Sequence, residues 1–278
     1  MPPTPSRSMP ATLALLISGV LASVVVGQLV GSVLMAAAGV PWGPEASEFL
    51  SRPGVLAAMT GAQYAAMTGV AFGLARGWLG SPRAGLGARP VSVRHLGAGF
   101  AAGVAALGVA SGLGALLLEW FPGLELGGLE QLGEAFSTGS PGPRAALVLV
   151  VSLGAPLAEE WIFRGVLWEA LERRFGPRAT FVVTSLVFAA WHVRPFHALT
   201  LLPTAFLFGW LRLRTGSVFP SLVAHAVNNA VGAVLLVTLG ADSDAPFAAA
   251  PFLCGLVLYV LVVIGVGRRG REPLASAP

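Results

Sequence analysis

Apolar stretches near the length of a bilayer crossing follow one another along nearly the whole chain, and they leave few folds open. A helix needs about 20 mostly apolar residues to cross the hydrocarbon layer. Eight such stretches can be drawn, at roughly 11–40, 54–75, 96–118, 144–172, 179–193, 197–211, 217–239 and 247–267. Only 11% of the 278 residues are charged and 55% are hydrophobic, whereas a soluble domain carries roughly 25% charged residues. With lipid as the main solvent, backbone polar groups must be satisfied within the protein, so runs of this kind are spanning helices. The expected fold class is an all-α integral membrane protein, a bundle of about eight transmembrane helices with a polar site inside the membrane.

The fifth and sixth stretches are short and are separated by Arg194 and Pro195. Pro156, Pro203 and Pro220 fall inside or at the start of spans, where kinks are expected. The first apolar run exceeds the roughly 7–15 residues of a secretory core, so a retained anchor is expected. Gly99/Gly103 and Gly108/Gly112 form small-xxx-small pairs in the third span, a pattern of close helix packing. The single cysteine, Cys254, lies in an apolar run and reads as a small buried hydrophobe.

All 17 basic residues are arginine, which reads as a coding bias of a GC-rich bacterial genome. The basic charge is spread in clusters between apolar runs, with no basic stripe interleaved with aromatics, so nucleic-acid binding is excluded. The clusters instead report topology. One set of connections holds Arg7; Arg76, Arg83, Arg89 and Arg94; Arg173, Arg174 and Arg178; Arg212 and Arg214; and Arg268, Arg269 and Arg271. The other holds only Arg52, Arg144 and Arg194, with most of the acids: Glu45, Glu48, Glu125, Glu130, Glu134, Asp242 and Asp244. The alternation predicts both termini on the cytoplasmic side, in a bacterial inner or plasma membrane.

Three charges break the apolar pattern at Glu159, Glu160 and Arg164. Each costs roughly 2.5–3.5 kcal/mol at a helix centre, so such residues mark function or a specific pair. Glu160 and Arg164 are four apart and share a face, which suits an ion pair. Glu159 points about 100° away and lacks that partner. One carboxylate is thus expected to be structural, and the other available as a base.

His192 ends the fifth stretch, and His225, Asn228 and Asn229 lie in the seventh. At 1.5 Å per residue, Glu159 is about 21 Å from Arg173, His192 about 21 Å from Arg178, His225 about 16 Å from Arg214 and Asn229 about 22 Å. Polar residues of three helices therefore fall at a similar depth. Asn228 is expected to face elsewhere and pack, His95 to be an ordinary interfacial histidine, and His197 to lie in a loop. A carboxylate with a histidine can activate water, and a second histidine with an amide can donate to an oxyanion, which is amide or ester hydrolysis. The same set could hold Zn²⁺ through Glu159, His192 and His225. There is no H-E-x-x-H, G-x-S-x-G or G-x-G-D, so other intramembrane protease schemes find no support. A scaffold whose polar cluster only ties helices together, and a proton-relay transporter, are the competing classes. The absence of an inverted repeat counts against the transporter.

At these residues the chain resembles the CPBP intramembrane proteases, Abi-type relatives of the eukaryotic CAAX prenyl endopeptidase. The family pattern E-E-x-x-x-R, F-x-x-x-H and H-x-x-x-N reads here as 159-EEWIFR-164, 188-FAAWH-192 and 225-HAVNN-229, intact and in order. The resemblance implies an intramembrane endopeptidase of glutamic type. It implies Glu159 and His192 as activators of water, His225 and Asn229 as the oxyanion site, and Glu160, Arg164 and Phe188 as supporting residues. No cofactor is favoured, with Zn²⁺ as the alternative. The expected partners are the bilayer and a membrane-embedded or membrane-anchored protein or peptide, cut in maturation, sorting or C-terminal processing. Bacteriocin immunity or scaffolding is the non-catalytic alternative. The chain divides into N-terminal helices at 1–140, a catalytic core at 141–240, and a final helix with a basic tail at 241–278.

Overall fold

In the computed structural model, residues 9–78, 80–124, 128–239 and 249–268 are described. Arg7, Glu125, Asp242, Asp244, Arg269 and Arg271, used above for topology, lie outside them. The helices are α1 (Met9–Ala37), α2 (Pro44–Ser51), α3 (Pro53–Trp78), α4 (Pro82–Gly85), α5 (Val93–Trp120) and α6 (Gly128–Ser137). Then come α7 (Pro141–Leu149), α8 (Ala155–Glu160), α9 (Trp168–Trp191), α10 (Pro195–Thr215), α11 (Phe219–Leu239) and α12 (Ala249–Arg268). Two π-helical segments, Val150–Gly154 and Trp161–Leu167, flank α8. Among the described residues there is no strand.

Among the described residues, seven continuous helical stretches are long and apolar enough to span a membrane, and one of them, Pro141–Trp191, has 51 residues. That stretch folds back on itself. Phe163 and Phe188 would stand about 37 Å apart on a straight helix, yet their ring centroids are 5.3 Å apart. The break is at Gly176, with φ 73° and ψ 169°, followed by Pro177. Glycine reaches that φ without steric cost, and proline cannot continue the preceding hydrogen-bond ladder. The fourth and fifth expected spans are thus two crossings joined at Gly176, and the bundle makes eight passes. The sixth starts at Pro195 and runs to Thr215, longer than the expected 197–211.

The short helices α2, α4 and α6 occupy connections that carried no expected element. Pro44 opens α2 at its first turn with Glu45 beside it, and the Ser81 side chain caps α4 by accepting from Ala84 N–H at 3.1 Å.

Two packed cores hold the bundle. In the first, α1 and α3 supply Leu16, Val20, Met67, Ala71 and Ala75 against Ala158, Ile162, Phe163, Val166 and Phe188. In the second, Ala102, Ala105 and Ala106 of α5 meet Leu207, Phe208 and Leu211 of α10, Ala224 of α11, and Val262 and Val266 of α12. Many large apolar side chains face outward, including Ile17, Leu29, Val33, Leu149, Val257 and Leu261. That distribution suits a lipid-facing surface.

The glycine pairs of α5 are close-approach points. A Cβ at Gly99 or Gly103 would overlap the carbonyl oxygens of Pro220 and Ala224 on α11, and one at Gly112 would overlap Phe252 of α12. Cys254 is exposed, not buried as expected.

The two sets of connections gather at opposite ends of the bundle. Arg89 donates to Gly216 O at 2.8 Å and to Glu169 at 2.9 Å, and Arg214 donates to Gly267 O. These bonds join four of the arginine-rich segments. At the other end, Arg144 donates to Phe136 O at 2.7 Å and Val237 O at 3.4 Å.

Because Ala224 O adjoins His225, substitution of Gly103 by valine pushes α11 from α5. We expect a loss of about 1–3 kcal/mol in stability, read as a lower melting temperature in detergent. Gly97→Ala, where a Cβ meets nothing within 4 Å, leaves the melting temperature unchanged or slightly raised.

Candidate active site

The backbone around the adjacent glutamates is shaped by Pro156. Before it the helix widens to π register, with Ala155 N–H reaching Val150 O five residues back. In that register the next donor would serve Val151 O, but Pro156 has no N–H. The orphaned carbonyl is filled from another helix: Asn229 Nδ2 donates to Val151 O at 3.0 Å. π-Segments occur frequently at functional sites, and here one precedes and one follows the Glu159–Glu160 pair.

Glu160 and Arg164 are fully buried, and Arg164 Nη1 donates to Glu160 Oε1 at 3.0 Å, as the spacing of four predicts. Arg164 Nη2 donates to Ala205 O of α10 at 3.1 Å, and its guanidinium lies 4.1 Å over the Phe188 ring. Ser185 Oγ donates to the same Ala205 carbonyl at 3.1 Å. Glu160 Oε1 also faces His225 Nδ1 at 3.0 Å. An ionised carboxylate only accepts, so Nδ1 carries a proton and donates to it.

Glu159 is 7% exposed. Its carboxylate makes no hydrogen bond within 3.5 Å of any described residue, and its nearest polar partner is His225 Nε2 at 3.9 Å. That gap is too long for a direct hydrogen bond. A water about 2.8 Å from both groups would fit beside the line joining them, at an angle near 90°. His225 therefore stands between the two carboxylates, bonded to Glu160 and facing Glu159. Tyr64 of α3, not singled out in the sequence, lies near enough to Glu159 to feel its charge.

His192 forms the C-cap of α9, and its Nδ1 lies 3.0 Å from Phe188 O. Donation by Nδ1–H to that carbonyl leaves Nε2 free. Its ring packs edge-on to Phe188 at 5.3 Å, and the His225 ring packs on Phe188 at 5.7 Å. Phe188 is thus the common neighbour of Arg164, His192 and His225. Among the described residues Glu159 and His192 share no hydrogen bond; His192 is tied through Phe188 to Arg164 and His225, and Glu159 faces His225. Arg194 N–H reaches back to His192 O at 2.6 Å, and Val193 takes φ 60°, a rare value for a β-branched residue.

Two sequence expectations need correction. Asn228 does not face elsewhere: its Nδ2 donates to Asn229 Oδ1 at 3.1 Å, since side chains on successive residues of α11 can bend toward each other across the roughly 100° between them. His197 lies in the first turn of α10, not in a loop, since Pro195 starts that helix directly after the turn; its ring is 6.1 Å from His192. His95, beside Arg94 at the start of α5, is buried and lines a cleft against α12.

Arg212, read as a loop charge, is also buried. Its Nε donates to Arg164 O at 2.9 Å and its Nη2 to Glu169 Oε1 at 2.6 Å, with Arg89 on the same carboxylate oxygen. This network ties the second π-segment to the arginine-rich end. An arginine three residues inside the end of an apolar helix was the signal that could have revealed it. Phe208, 5.4 Å from His225, left no signal beyond its hydrophobicity.

Among the described residues no three His, Cys, Asp or Glu side chains are close enough together to hold a metal ion. The zinc alternative through Glu159, His192 and His225 thus lacks a gathered donor set in this arrangement.

One family model matches the part of the chain that holds this site. Residues 141–231 match the family model for type II CAAX prenyl endopeptidase Rce1-like proteins. The Rce1-like region contains all seven residues of the three motifs, and it is the family that those motifs resemble. No curated protein and no solved structure gives a match.

Removing one partner of the buried pair leaves the other charge uncompensated. We expect Arg164→Met to cost about 3–5 kcal/mol, read by thermal unfolding in detergent. The double substitution Glu160→Leu with Arg164→Met should recover part of that loss.

Proposed function

We propose that the chain is an intramembrane endopeptidase that hydrolyses a peptide bond with water activated by Glu159 and His192. The observation that carries this reading is the contrast between the adjacent carboxylates. Glu160 is consumed by Arg164 and His225, whereas Glu159 is buried without a hydrogen bond and faces an imidazole across a gap suited to water. An intramembrane carboxylate without a structural partner is costly, and such a cost is met at functional sites. The Rce1-like match over the same residues supports a protease.

Glu159 takes the proton of the water as its oxygen attacks the substrate carbonyl. His192 Nε2, the nitrogen left free by the bond to Phe188 O, accepts from the other O–H of that water and orients it, and Glu159 then gives the proton it took to the leaving amine as the C–N bond breaks. Oxyanion donors are His225 Nε2–H and the remaining N–H of Asn229 Nδ2. Since Nδ1–H of His225 is committed to Glu160, donation from Nε2 requires imidazolium. Val151 O holds the Asn229 amide in place. Glu160, Arg164 and Phe188 position these groups.

The catalytic core spans 141–240, with the helices of 1–140 packed around it and the segment 241–278 closing the chain. The arginine-rich end faces the cytoplasm, which places both termini there, in a bacterial inner or plasma membrane. The substrate is a membrane-embedded or membrane-anchored protein or peptide, cut for maturation, sorting or C-terminal processing. Its bond must enter the bilayer to reach Glu159.

Comparison of membrane-protein termini in cells carrying wild type or Glu159→Ala tests the reading. A new terminus present only with wild type is expected, lost also with His192→Ala. On the substrate so found, each substitution should slow cleavage by about 10²–10⁴, and Asn229→Ala by about 10²–10³. Identical termini at equal protein levels would favour the scaffold reading.

A further inference from the structure

A second polar position lies away from Glu159, on α5 and α12, which carry none of the proposed catalytic residues. There a cleft of about 230 Å³ opens between the start of α5 and the end of α12. Its walls include Arg94, His95 and Ala98 on one side and Leu261, Val262 and Gly265 on the other. His95 is 7% exposed and lines this space. Ser92 Oγ lies 3.2 Å from its Nδ1. Its Nε2 makes no hydrogen bond to any described residue. With the Ser92 hydroxyl donating to Nδ1, Nε2 carries the proton and offers it to the cleft. Arg94 is exposed at the mouth and forms no hydrogen bond or ion pair with any described residue. The cleft adjoins the start of the 28-residue α5, the positive end of its helix dipole.

Two side-chain donors, Arg94 and His95, therefore line one cleft without an acceptor among the described residues. Below them the walls are apolar, and Gly265 leaves open space where a side chain would stand. The cleft lies at the arginine-rich end, with Arg268 in the last turn of α12. We propose that it binds the phosphodiester head of an anionic phospholipid, with an acyl chain running along Leu261, Val262 and Gly265. Basic pockets between membrane helices take such head groups. A free phosphate would meet the donors but leave the apolar wall unused, whereas a lipid engages both.

Native mass spectrometry of the full-length protein in detergent tests this, titrated with phosphatidylglycerol, phosphatidylcholine or inorganic phosphate. Phosphatidylglycerol should be retained in preference to phosphatidylcholine. Arg94→Ala should weaken its retention roughly fivefold, and Leu261→Trp, which fills the cleft, should weaken it without removing a charge. Arg76→Ala, at the same end but outside the cleft, should leave retention unchanged. Melting temperatures identify any variant that fails to fold, and Leu261→Trp then decides if Arg94→Ala does. Equal retention of both lipids, equal loss with Arg76→Ala, or displacement of the lipid by inorganic phosphate would overturn the proposal.

Discussion

The buried bond between Arg164 and Glu160 is the interaction on which the rest of the site depends. Both side chains are withdrawn from solvent, so neither charge can stand alone in a low-dielectric interior. Their pairing fixes the second π-segment to α10 through Ala205 O and draws His225 from α11 onto Glu160. Phe188 packs under the guanidinium and carries His192 on its edge. One ion pair thus sets the positions of groups from four helices. Because Glu160 absorbs Arg164 and His225 Nδ1, its neighbour Glu159 is left with an imidazole at a distance and no bond.

Backbone irregularity does the rest of the positioning. Pro156 removes a donor, the preceding turn widens, and Val151 O is left for Asn229. Gly176 turns the chain, so that Phe188 and His192 return to the level of Phe163 and Arg164. Gly99 and Gly103 let α11 approach α5 at backbone distance, and that approach places His225 inside the bundle. Each of these positions works by omission: of an N–H, of a side chain, or of the usual limits on φ. Arg212, bonded to Arg164 O and Glu169, anchors the same segment from the arginine-rich end.

Much of this could be read from residue spacing. The interval of four between Glu160 and Arg164 gave their pair, and the similar depths expected of Glu159 and His225 agree with their facing each other at 3.9 Å, while His192 meets His225 only through Phe188. The glycine spacing on α5 marked its close contacts. Other features depend on partners distant in sequence. That His225 reaches both glutamates follows from the angle at which α11 crosses α8, which no periodicity encodes. The bond from Asn229 to Val151 O exists only because a π turn and a proline coincide. Arg89 and Arg212 looked like loop charges because an arginine at a span end has the same signature whether solvated or paired. The short helices α2, α4 and α6 are too brief for a hydrophobic period.

The account stands on a division of labour between two adjacent carboxylates. It is tested most directly by measuring melting temperature and cleavage rate together for Glu159→Gln and Glu160→Gln. Glu159→Gln should melt like wild type, since no hydrogen bond is lost, and should not cleave. Glu160→Gln should melt markedly lower, because Arg164 loses its counter-charge. A Glu159→Gln protein that cleaves at the wild-type rate, or a Glu160→Gln protein of unchanged stability, would contradict the account.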